Sequence, residues 1–182
     1  MLAAVRSVAP GPVATLPAVR QEHTLLAGGR PAGHSRCDSR PNGAGVALVF
    51  EGAVGAPRPA HTVAGEAALD GESRWSRVWI EVDGARVPAD VPPDALLDVE
   101  GAPALVGATP QRLMRGGLRP GQSHDVEVVR VRCDRSVTRI QGRCIWVGGR
   151  DWQLILPLES TGISVRPDGA VAEVEAAALL VE

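Results

Sequence analysis

The sequence predicts an all-β, mainly antiparallel fold: a small barrel or sandwich of six or seven strands with one short helix. Three observations predict it. Runs of β-formers at Asp125 to Cys133, Val137 to Val147 and Trp152 to Leu158 are separated by turn residues, the pattern of a three-stranded meander. A further alternating run, Trp75 to Val82, leads into Asp83-Gly84, a strong hairpin signal. Pro88, Pro92, Pro93 and Pro103 then forbid a long helix between that hairpin and the meander, because proline lacks the N–H and clashes with the preceding turn.

In chain order, residues 1–65 are rich in Gly, Pro, Ala and Arg and show little periodicity. They predict an arm that is disordered or extended, with one short strand at Val46 to Phe50. The β-rich domain is expected over residues 66–182. Ser73 to Val87 reads as a hairpin, and Asp94 to Val99 could form about one helical turn. Pro110 to Arg115 reads as a short helix, with Thr109 as N-cap, Pro110 at the first helical position and Gly116-Gly117 ending it.

The meander register follows from its turns. A two-residue turn at Asp134-Arg135 would set Val131 against Thr138, Val129 against Ile140 and Arg130 against Arg139. A three-residue loop at Gly148 to Arg150 would pair Trp146 with Trp152, Cys144 with Leu154 and Ile140 with Leu158. After Leu158, Pro167-Asp168-Gly169 reads as a turn, and the alternation that follows predicts a final strand.

The hydrophobic fraction is 45%, and all nineteen basic residues are Arg. Net charge sums to +3 over residues 1–62, −6 over 63–111, +6 over 112–150 and −5 over 151–182. Such segregation points either to an anionic partner for the basic block or to mutual neutralisation within the fold. Cys37, Cys133 and Cys144 are odd in number and lack CxxC spacing, which favours a reducing compartment. No apolar run approaches the roughly 18 residues of a spanning helix. A soluble, cytoplasmic protein with no membrane association is therefore expected.

The meander register places Arg130, Arg132, Arg139 and Arg143 on one face, opposite an apolar face that carries Trp146 and Trp152. Like charges side by side in a sheet repel, so this cluster needs water, carboxylates or an anionic ligand. Sequence-specific nucleic-acid binding is not expected, since base-stacking aromatics would have to share the basic face. His34, Cys37 and Asp38 lie close in sequence, but a zinc site needs a second ligand pair and a catalytic thiol needs a rigid base. His124-Asp125 are strand neighbours whose side chains diverge. No metal or cofactor is expected, and no catalytic residue is assigned.

The segments PGQSHDVEVVRVRCDRSVTRIQGR and DGAVAEVEAAALLV resemble the sheet of hot-dog thioesterases and dehydratases. That resemblance implies a long helix in the sheet's concavity and arginines that hold coenzyme A phosphates. The sequence shows neither such a helix nor the His-Pro-Gly pattern of those enzymes. Two functions follow from these residues. The first is a non-catalytic binding or assembly module using the arginine face against a small anion or an acidic protein surface, self-association included. The alternative is a hot-dog-like enzyme acting on an acyl thioester.

Overall fold

Alternation of inward and outward side chains runs through nearly every element of the computed structural model, which describes residues 19–27, 30–55, 61–166 and 171–178. The first sheet holds β1 (Val19–Ala27), β2 (Arg30–Asn42), β3 (Gly45–Val54), β4 (His61–Leu69), β5 (Trp75–Val82) and β6 (Ala85–Val87), paired in chain order and antiparallel throughout. The second holds β7 (Leu96–Val99), β8 (Ser123–Val131), β9 (Val137–Gly148), β10 (Asp151–Ile155), β11 (Glu159–Val165) and β12 (Val171–Ala178). There only β7 and β8 run parallel. A 3-10 turn (Pro103–Gly107) runs directly into α1 (Ala108–Arg115) between β7 and β8.

The fold is all-β and antiparallel as the sequence predicts, and β5–β6 is the expected hairpin. Its turn residues Asp83 and Gly84 have φ of 51° and 71°, the doubly left-handed geometry that matches strand twist. The strand count is larger than six or seven because residues from Val19 onward are extended and paired, building β1 to β4. No boundary falls at residue 65, since β4 runs through it. Residues 1–18 and the Pro167-Asp168-Gly169 turn lie outside the described residues.

Two cores flank the β7–β8 pair. Leu97, Val99, Val129 and Val131 pack with Phe50, Ile80 and Val82 of the first sheet. Leu96 and Val128 face the other way, onto Val106, Leu113, Trp152, Leu154 and Ile163. Burial on both faces explains why apolar residues stand at consecutive positions, Leu96-Leu97 and Val128-Val129, and each fully buried aliphatic contributes about 1.5–3 kcal/mol. It also explains why Leu96–Val99 is a strand where a helical turn was expected: its parallel ladder to Val128–Val131 outweighs local propensity.

The two meander turns came out differently. The β9–β10 turn gives the expected register, with Trp146 opposite Trp152 and Cys144 opposite Leu154. The tryptophans stack at 5.3 Å and 7°, Trp152 inside the second core and the half-buried Trp146 packed against it. Ile140 does not meet Leu158, because β10 ends at Ile155 and Leu156 N–H bonds Glu159 O across a turn; Leu158 is exposed. The β8–β9 turn is longer than two residues. Arg135 takes φ 68°, Arg132 N–H bonds Ser136 O, and Val131 pairs with Val137, Arg130 with Thr138 and Val129 with Arg139. That shift of one residue moves β9 to the other face relative to β8.

Helix α1 starts at Ala108, two residues before the expected Pro110, because the 3-10 turn feeds into it. Thr109 is therefore inside the helix, where it is buried and its Oγ1 donates to Ala95 O instead of capping. The C-terminus is as expected: Gly117 at φ 88° lets Leu118 N–H reach back to Leu113 O. Among the described residues no helix is long and apolar enough to cross a membrane.

Candidate functional site: an arginine-lined cleft

Because of the register shift, the four arginines read from the sequence do not share one face. Arg130 lies on the side of β8 that carries Val128 and Ile140, whereas Arg139 and Arg143 align with Val129 and Asp125 on the other. Each of these three meets acids. Arg130 Nε donates to Asp98 at 2.6 Å and its Nη2 bonds Glu159, with the side chain only 11% exposed. Arg139 bonds Asp90 at 2.8 Å and Glu127 at 3.2 Å, and Arg143 bonds Asp125 at 2.9 Å. Arg132 sits in the turn. There the Asp134 carboxyl is held below its ordinary range by bonds from the Ser136 hydroxyl and N–H, with a smaller contribution from the Arg132 charge. Three of the four arginines are thus matched by acids within the fold.

A different set of arginines converges where sequence spacing gave no warning. A loop at residues 70–74 joins β4 to β5, and Asp70 builds it. One carboxylate oxygen of Asp70 accepts the N–H groups of Glu72 and Arg74, both at 2.9 Å, while the backbones of Asp70 and Arg74 close the turn. Ser73 is forced to φ 62° and is buried, an uncommon state for a residue with a side chain. Its Oγ accepts a 2.7 Å hydrogen bond from Arg115 Nη1 on the last turn of α1.

Arg112, three residues earlier on the same helix face, donates to Asp94 O at 2.8 Å and lies 3.4 Å from the Asp94 carboxylate. Arg74 shares Asp94 at 3.1 Å and also takes Glu72 at 2.8 Å. The walls are locked together beneath. Trp75 Nε1 and Thr109 Oγ1 both donate to Ala95 O, and Trp75 N–H bonds Pro93 O.

These residues border a cleft of about 460 Å³, lined by Arg74, Arg112, Arg115 and His124 with Leu113 and Leu118. The charge balance is uneven. Asp94 serves two guanidiniums, Glu72 serves one, and among the described residues Arg115 has a hydroxyl partner but no carboxylate within ion-pair distance. Three guanidiniums bordering one cleft, of which Arg74 and Arg115 are exposed and Arg112 half-buried, form a receptor for a negative group. The helix carbonyl end helps to hold Arg112 and Arg115 there, since cations are favoured at a C-terminus.

Other candidates from the sequence are taken apart by strand alternation. Cys37 is buried on the inner face of β2, and its thiol is pushed up to about 12 by that burial, with the nearby Asp38 charge adding to it. His34 and Asp38 point the other way. Cys133 and Cys144 are likewise raised to about 12, chiefly by burial. His124 and Asp125 diverge, Asp125 to Arg143 and His124 to the cleft. A larger cleft of about 680 Å³ runs between β1 and β12, but its inward-facing carboxylate, Asp98, is already engaged by Arg130.

No protein-family model matches the chain, and no curated protein matches it. Among solved structures it is similar to a DUF1089 family protein from Pseudomonas aeruginosa, at 13% identity over 94% of this chain and 97% of that one, with a TM-score of 0.42.

Proposed function

We propose that the protein is a non-catalytic binding module that holds an anionic group of its partner, a small anion or an acidic protein surface, in the cleft formed by Arg74, Arg112, Arg115 and His124. The observation that carries this reading is the charge imbalance around Arg115. Its guanidinium is positioned by the strained Ser73 and faces a cleft in which positive groups outnumber their carboxylate partners. The three cysteines are all unpaired, which supports action in a reducing compartment such as the cytoplasm.

A hot-dog enzyme would rest on a long helix in the sheet's concavity. The α-helix among the described residues has eight residues, so the binding reading is the one the geometry favours.

The test is thermal unfolding with sulfate substituted for chloride at fixed ionic strength, since a ligand bound only by the native state raises the midpoint. Sulfate is expected to raise the wild-type midpoint and to lose that effect in Arg74→Gln/Arg115→Gln. Arg139→Gln/Arg143→Gln should keep it. The opposite pattern would move the partner to the outer face of the meander.

A further inference from the structure

We infer that the cleft is built for a phosphate monoester on a small apolar body, and that the ligand's dianion takes the place Glu72 now holds against Arg74. The inference rests on the anion-binding reading above and adds the ligand's chemistry.

Charge comes first. Glu72 is 70% exposed and, among the described residues, its carboxylate is tethered only through Arg74, so it can swing into water at little cost. Asp94 is fixed by contrast, since it bridges Arg74 and Arg112. With Glu72 displaced, three guanidiniums face one carboxylate, and the missing charge is that of a dianion. A carboxylate ligand would supply only half of it.

Shape points the same way. The donors come from three directions: Arg74 from the 70–74 loop, Arg115 from α1 and His124 from the start of β8. A flat carboxylate presents two oxygens in one plane, whereas a phosphate monoester presents three around a tetrahedral centre. Leu113 and Leu118 supply apolar surface beside the arginines, and about 460 Å³ leaves room for a ring or short chain behind the phosphate. The Asp70 clamp and the left-handed Ser73 fix the loop, so the site is preformed apart from the Glu72 side chain.

The experiment is isothermal titration calorimetry of the full chain with phenyl phosphate, methyl phenyl phosphate, benzoate and phenol. Phenyl phosphate is expected to bind at least about tenfold more tightly than the monoanionic diester or benzoate, and phenol not at all. Glu72→Gln, which removes the competing charge, should tighten phenyl phosphate about tenfold, and Arg115→Gln should weaken it by a similar factor. A diester or benzoate that binds as well as the monoester, or an unchanged affinity in Glu72→Gln, overturns the phosphate assignment and leaves the anion-binding reading standing. If no anion binds the wild type, the anion-binding reading falls and this assignment falls with it.

Discussion

Two groups of arginines in this molecule have opposite histories in sequence and opposite states in the fold. Arg130, Arg139 and Arg143 lie close together in the most legible stretch of the chain, and each ends in ion pairs with acids. Arg74 lies far in sequence from Arg112 and Arg115, yet these three share a cleft with too few carboxylates. Charge density along a chain therefore does not locate a binding site. What matters is whether the fold brings acids to those charges, and here β7, β8, β11 and the β6–β7 connection bring them to the first group.

The costliest single change is Arg130→Ala. It would leave Asp98 and Glu159 facing each other without their cation, and unfolding in urea is expected to show a loss of about 3 kcal/mol. Arg130→Met combined with Asp98→Asn and Glu159→Gln should recover most of that loss. Arg115→Gln is the counterpart. It should leave stability within about 0.5 kcal/mol, as surface changes do, while abolishing the sulfate-dependent rise in midpoint.

Smaller still is Arg143→Ala on the outer face, where both partners are more than half exposed. Its cost should stay below about 1 kcal/mol and vanish in high salt, as measured by urea midpoints at two ionic strengths.

The least effect concerns acid. The Asp38 carboxyl is held below its ordinary 3.8 by the hydrogen bond from Arg20, with Arg36 assisting against partial desolvation. A depressed folded-state pKa gives stability that is present above about pH 4 and is lost as pH falls through the lower folded value. A comparison of wild type with Asp38→Asn should therefore show a small gap at neutral pH that closes in acid.

Legibility followed the same physical divide. The β9–β10 register could be read because Gly148-Gly149 marks the loop and two tryptophans must share a face. The β8–β9 register could not, because its left-handed residue is Arg135, a type that carries no turn signal, with Ser136 N–H bonded to Asp134 helping to hold the bend. β2 was invisible for a different reason. Its inward residues Ser35, Cys37 and Ser39 are small and partly polar, so hydrophobic alternation fails although the strand is buried. In β4 a glycine stands at an inward position: a Cβ on Gly65 would come within 2.6 Å of the Phe50 ring.

The cleft was not picked out from the sequence. Arg112 and Arg115 are spaced to share a helix face, but nothing local announces that Arg74 will join them or that Ser73 will hold Arg115.

Where β1 meets β12, the contacts are side chain to backbone: Gln21 Oε1 accepts the Val171 N–H, and His23 Nε2 bonds Val171 O. No backbone ladder joins the two strands among the described residues. The first and last strands can therefore part without breaking a rung of either sheet. In hydrogen exchange, the outward amides of β1 and β12 should trade deuterium at low opening cost, while those of β8, walled in by both cores, wait for global unfolding.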